Sequence, residues 1–202
     1  MTRTITQTQT LYHYDELSDE AKEHARQWWL RDYAFDAHEA EHVIDDAKHV
    51  AKLIGIDITD VYYSGFYSQG DGACFEGAYY YAKGATAKVT EYAPEDKALQ
   101  RVARDLQEAQ RPRFYALSAR VVHRGHYSHS GCTDIEVYDN ESFAVSEDTE
   151  TDAIKQALRD FMDWIYQQLE GAYEFAISEE NVAENIRINE YEFTEDGDRS
   201  EF

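Results

Sequence analysis

Across 202 residues the chain carries 41 Asp and Glu against 19 Lys and Arg, a formal charge of -22. A surface of that sign repels phosphate, which excludes direct binding of DNA, RNA or an anionic membrane as a default function and favours basic partners. With 43% apolar and 14% aromatic residues and only two prolines, the composition also excludes a disordered acidic tail.

In chain order, residues 2–14 alternate polar and apolar positions and predict a polar edge strand. Ser18 then stands as an N-cap, and Ala21, Ala25, Trp28, Trp29 and Tyr33 recur at helical spacing. Asp36 with Glu39 makes a capping box for a second helix, whose stripe Ala40, Val43, Ile44, Ala47, Val50, Ala51 and Ile54 ends at Gly55. From Ile56 to Gly84 the pattern turns β-like and aromatic, with a Gly-rich break at Gln69–Gly72 that predicts a hairpin.

Pro94 at a first helical position predicts a helix through Leu99, Val102, Ala103 and Leu106, closed by Pro112. Phe114–Val122 and Thr133–Tyr138 predict a second hairpin, turning through Gly125–Gly131. A long helix from about Thr149 carries Ile154, Ala157, Leu158, Phe161, Ile165 and Leu169 on one face and continues towards Phe175. A short helical turn after Ser178 and a strand over Ile186–Phe193 complete the chain. Strand runs interrupted by helices, without βαβ alternation, predict one α+β domain over residues 1–202. Its mainly antiparallel sheet has five to six strands, built from two Gly-rich hairpins plus terminal strands, with helices packed on one face.

Charge is unevenly distributed. Residues 83–124 hold five acids and nine bases, whereas residues 139–202, the acidic C-terminal part, hold 19 acids and four bases. Asp160, Asp163, Glu170, Glu174, Glu179, Glu180, Glu184, Glu190, Glu192, Glu195 and Asp196 fall within one stretch diluted only by Arg187. On a helix and an adjoining strand such carboxylates recur at phosphate-like intervals, so they are the candidate partner-binding residues. The alternative is a solvated face that keeps the protein soluble. Arg101, Arg104, Arg111 and Arg113 are candidates for pairing with the chain's own acids or with a second copy in a homodimer.

His123, His126, His129 and Cys132 recur every three residues across the second predicted turn and are the candidate metal ligands. Against that role, a three-residue step on a strand sends neighbouring side chains to opposite faces, which favours hydrogen bonding and turn packing. The loop Ser68–Gly72 permits backbone amides to approach a ligand, yet Asp71-Gly72 is also ordinary turn chemistry. No nucleophile–base pair is specific, so no catalytic residue and no cofactor is assigned. Cys74 and Cys132 are too few for a disulfide framework and are expected as free thiols. No stretch reaches the roughly 20 apolar residues of a membrane helix, and the N-terminus lacks the apolar run of a signal peptide, which predicts a cytoplasmic protein.

At LSDEAKEHARQWW, YYSGFYSQGDGACFEGAYYY and HRGHYSHSGC the chain resembles a family of phage and prophage proteins, over much of residues 15–138. Members are usually labelled hypothetical or antitoxins of a toxin–antitoxin stability system, and the resemblance implies phage origin without any catalytic motif. Combined with the acidity it implies an anti-CRISPR or anti-restriction type of inhibitor. Such a protein would bind a basic nucleic-acid-binding host protein or complex stoichiometrically, as a nucleic-acid mimic. The alternatives are an antitoxin-like protein that caps a single toxin, and a metal-dependent enzyme using the His/Cys turn.

Overall fold

The computed structural model describes residues 8–33, 35, 37–140, 144–145 and 147–200. Its elements are β1 (Tyr12–His13), α1 (Asp19–Tyr33), α2 (Ala37–Leu53), β2 (Ile56–Ser64), β3 (Gly72–Tyr80), α3 (Ala85–Tyr92), α4 (Lys97–Gln110), β4 (Leu117–His123), β5 (Thr133–Asp139), β6 (Ala144–Val145), α5 (Thr149–Ala176), α6 (Glu179–Ile188) and β7 (Glu192–Phe193). The fold is α+β. Strands β2 to β6 form one antiparallel sheet in sequence order, and β1 pairs antiparallel with β7 in a separate two-stranded sheet.

Two helix starts follow serines whose side chains satisfy orphan N–H groups, whereas α3 starts after Gly84 with no side-chain cap. The Ser18 hydroxyl accepts from the Ala21 amide at 3.2 Å, and the Ser178 hydroxyl accepts from Asn181 at 3.3 Å. The capping box expected at Asp36 lies outside the described residues. Gly55 ends α2 with φ +85°, and a Cβ there would sit 2.0 Å from the Tyr80 carbonyl oxygen, so only glycine fits.

The contacts gather into two compact units, residues 41–170 and residues 1–40 with 171–202. In the first, strand alternation sends Phe75 and Tyr79 to the helix-covered face of the sheet. Phe75 meets the Phe161 ring edge-on at 6.1 Å, and Phe161 stacks on Trp164 at 5.4 Å. Gln110 is fully buried and substitutes for a strand partner: its amide donates to the Leu117 carbonyl at 2.7 Å and its oxygen accepts from the Leu117 N–H at 3.1 Å. The buried Gln110 amide is thereby satisfied by the Leu117 backbone.

The second unit packs α1 against α6 around Tyr14, Leu17, Ala25, Trp29, Ile186 and Phe193. Trp28 contacts Tyr191 and Phe193 edge-on, and the Arg199 guanidinium lies 4.9 Å from the Trp28 ring and 4.8 Å from the Tyr191 ring.

Several expectations are corrected. The first strand is confined to Tyr12–His13 among the described residues, and residues 1–7 lie outside them. Pro94 does not begin a helix: Asp96 caps α4 by accepting from Leu99 at 2.8 Å, two residues after the proline. Helix α3 carries two Thr and a Val in eight residues, a composition that hides it from propensity. Ile186 belongs to α6 and not to a strand, because Val182, Ala183 and Ile186 share the buried face of that helix. The terminal strands pair with each other and do not extend the main sheet. The short β6, paired along Tyr138 and Asp139, escaped the sequence reading.

Candidate functional site

The eleven candidate acids divide between the two units. Asp160, Asp163 and Glu170 lie on α5 within residues 41–170, and Asp160 accepts from Gln156 at 2.7 Å. Glu174, Glu179, Glu180, Glu184, Glu190, Glu192, Glu195 and Asp196 all belong to the other unit, and all eight are exposed. That unit holds 18 acids against six bases in 72 residues.

Helix α6 aims Glu179, Glu180 and Glu184 into a groove of about 730 Å³ shared with α1, where Asp19, Lys22, Arg26 and Arg187 also stand. The groove is therefore of mixed sign. Glu179 pairs with Arg26 at 3.1 Å, while Arg26 is also held by Glu23 at 2.5 Å; Glu184 lies 3.8 Å from Arg187, which is held more closely by Asp15 at 2.9 Å. Beyond the helix acids outnumber bases, with Arg199 drawn onto the Trp28 and Tyr191 rings. Glu16, Glu195 and Asp196 border a separate hollow of about 400 Å³ that contains no base.

Glu190 is the unusual member. It follows α6 with φ +53°, in the left-handed region where a glycine is unstrained. A β-carbon is kept there at a cost of about 1 kcal/mol, beside a hollow that Glu190 shares with His13, Asp15 and Arg187.

The His/Cys turn does not assemble as a metal centre. The Cys132 sulfur lies 3.3 Å from His129 Nε2, whereas His123 Nε2 faces the Tyr127 carbonyl at 2.8 Å and His126 packs edge-on against the Tyr127 ring. Among the described residues no group of three or more His, Cys, Asp or Glu is placed to hold a metal ion. The turn instead packs on the other hairpin: Tyr127 abuts Gly70, and a Cβ on Gly72 would come within 2.6 Å of the His129 Cβ. Asp71 is occupied within its own loop, accepting from the Ser68 amide at 2.7 Å, so the Ser68–Gly72 segment is a braced turn.

Both cysteines are free thiols. Burial, with Cys132 and Glu76 nearby, pushes the Cys74 thiol up to about 12 from an ordinary 9.0. Iodoacetamide at pH 8 should accordingly label one thiol per native chain, at half-buried Cys132, and reach Cys74 only after unfolding; peptide mapping reads the site. The sign of the linkage is fixed. A thiol whose folded pKa is raised stabilises fully below about 9, and that contribution is lost as pH rises towards 12. Tyr79, also pushed up to about 12 by burial, adds a loss that begins near its ordinary 10.0.

A feature not anticipated from sequence is the turn into β4. Phe114 (φ +52°) and Tyr115 (φ +64°) are successive left-handed residues, and the Phe114 side chain is 87% exposed. Tyr115 N–H donates to the Gln110 carbonyl at 2.9 Å, and Arg113 pairs with Asp139 and Asp148 at 3.1 and 3.3 Å, which together hold the strained turn. Phe114→Gly should raise stability by about 0.5–1 kcal/mol, measured by urea denaturation, because glycine adopts this conformation without strain. The strand expected over Phe114–Val122 therefore starts only at Leu117, because the left-handed backbone of Phe114 and Tyr115 is incompatible with an extended strand.

No helix among the described residues is long and apolar enough to cross a membrane. No curated protein and no solved structure matches the chain. Residues 40–179 match the family described as a domain of unknown function, DUF8835, a span that takes in the whole five-stranded sheet, α3 and α4. The chain belongs to the DUF8835 family.

Proposed function

We propose that the protein is a phage-encoded acidic inhibitor that binds, stoichiometrically, a Lys/Arg surface of a host antiviral complex and occupies it in place of DNA or RNA. The observation that carries this reading is the concentration of charge in one compact unit, 18 acids against six bases, with eight of the candidate carboxylates exposed. Net charge of one sign opposes compaction, and a basic partner offsets that cost on binding. Glu190 supports the reading further, since a strained backbone position bears an exposed carboxylate where a neutral glycine is the cheaper residue.

The test is capture on the immobilised full chain from a bacterial lysate, washed at about 0.05 M and then about 0.5 M salt, where the screening length falls roughly threefold. A nucleic-acid-binding protein retained at low salt, released at high salt and displaced by added duplex DNA or RNA supports the proposal. Retention of one partner regardless of salt defeats it and favours the antitoxin-like alternative.

A further inference from the structure

Opposite the helices the five-stranded sheet is exposed over Asp57, Tyr80, Arg120 and Glu136, whereas Cys74 and Ser118 on the same side are buried. Alternation sends Phe75, Tyr79, Val121 and Val137 to the helices, and leaves Glu76, Ala78 and Tyr80 of β3, Ser118, Arg120 and Val122 of β4, and Glu136 and Tyr138 of β5 on the open side. The small side chains of Ala78 and Ser118 form the floor of a trough of about 520 Å³. Tyr80 and Tyr138 lie in one cross-strand row on either side of Ser118 and wall it, while Asp57 lies in the next row beside Ala78.

The charge of this face is lopsided. Arg124 and Asp134 pair with each other at 2.9 Å, which leaves Asp57, Asp60, Glu76 and Glu136 against Arg120, itself part of the trough lining. Glu76 accepts from the Tyr62 hydroxyl and the His123 N–H, and Glu136 from the Tyr138 hydroxyl. Asp57 and Asp60 form no ion pair among the described residues. A polyanion is repelled from such a face, and a second copy would bring the same excess of carboxylates to it. A cation flanked by two tyrosine rings is the complementary occupant. Guanidinium suits the walls better than ammonium, because it is planar, stacks on aromatic faces and is less strongly hydrated.

A second observation marks the same end of the sheet. Tyr80 pairs with Ser118, so the residues following β3 and those preceding β4 adjoin, and the Tyr81 and Tyr115 rings contact at 4.3 Å. Next to that stack stands Phe114, held outward by the left-handed turn. A large, exposed aromatic on a strained and braced backbone is a pre-ordered anchor for an apolar side chain of a partner.

We propose that the open face of the sheet docks an arginine-bearing polypeptide segment, with the guanidinium between Tyr80 and Tyr138 and a neighbouring apolar side chain against Phe114. This face belongs to residues 41–170 and does not depend on the carboxylates of the other unit.

The experiment is an amide-detected NMR titration of the full isotope-labelled chain with blocked pentapeptides in which a glycine separates leucine from arginine, glutamine or glutamate. The arginine peptide should give saturable shifts at Ala78, Arg120 and Tyr138, and bind at least about fivefold more tightly than the glutamine peptide. Ala78→Leu, which fills the floor on a solvent-facing position, should weaken it by about fivefold or more, as should Asp57→Asn, with the remaining spectrum unchanged. Phe114→Ala should weaken the arginine peptide to a smaller extent. The paired variant Glu184→Gln, Glu190→Gln should leave it unaltered even if it abolishes capture of the basic partner, so the two proposals fail separately. Equal binding of the arginine and glutamine peptides, shifts confined to residues 171–200, or full binding by both Ala78→Leu and Asp57→Asn would overturn the inference.

Discussion

Replacing Glu179, Glu180, Glu184, Glu190 and Glu192 together by glutamine should slow association with the basic partner by about 10- to 1,000-fold at low ionic strength, and flatten its salt dependence. The expected size follows from steering: five charges leave one unit of 72 residues, whose formal balance moves from -12 to -7. Glutamine preserves side-chain length and hydrogen bonding, so shape is retained while charge is removed. The two arginines involved keep partners, since Arg26 remains with Glu23 and the Tyr14 hydroxyl, and Arg187 with Asp15. Lower self-repulsion is offset by loss of the Glu179–Arg26 pair and of two acids from the first turn of α6, so stability should change by less than about 1 kcal/mol. A folded variant that associates as fast as the parent at low salt would rule out the electrostatic mechanism, whatever partner is captured. Stopped-flow mixing at several salt concentrations provides the measurement.

Phe161→Ala should cost about 3–5 kcal/mol in urea denaturation, the largest stability effect expected of a single replacement here. Phe161 is fully buried on α5, where it meets Phe75 edge-on and stacks on Trp164. Removing the ring loses transfer free energy, leaves a cavity and abolishes two aromatic contacts at once. Trp164 cannot swing in to fill the space without giving up its bond to Asp96, whose carboxylate accepts from the indole at 2.7 Å while also capping α4. Phe161→Leu refills most of the volume and should cost clearly less. A loss below about 1 kcal/mol for the alanine variant would mean that the site collapses around the deletion, contrary to the close packing seen here.

The long helices were legible because their apolar residues repeat every three to four positions and their caps are written in local side chains, as at Ser18 and Ser178. The two hairpins were legible for a similar reason, since alternating aromatics flank glycines whose backbone geometry few other residues adopt. Acidity and its concentration beyond residue 139 could also be read directly, because charge is a property of composition. What composition could not assign was neighbourhood. Spacing alone placed His123, His126, His129 and Cys132 in one set; folding separated them, because each imidazole found a closer carbonyl, ring or sulfur, and only His129 with Cys132 remained together.

The same holds for the acids and for the open sheet face. Eleven carboxylates adjacent in sequence were divided between two compact units, because α5 runs from one into the other. Asp57, Glu76, Arg120 and Glu136, separated by up to 79 positions in the chain, became neighbours through strand register. Periodicity and charge are local or additive and belong to the sequence by itself; adjacency across strands depends on which edges pair, a choice made by the whole core, and only the tertiary structure decided it.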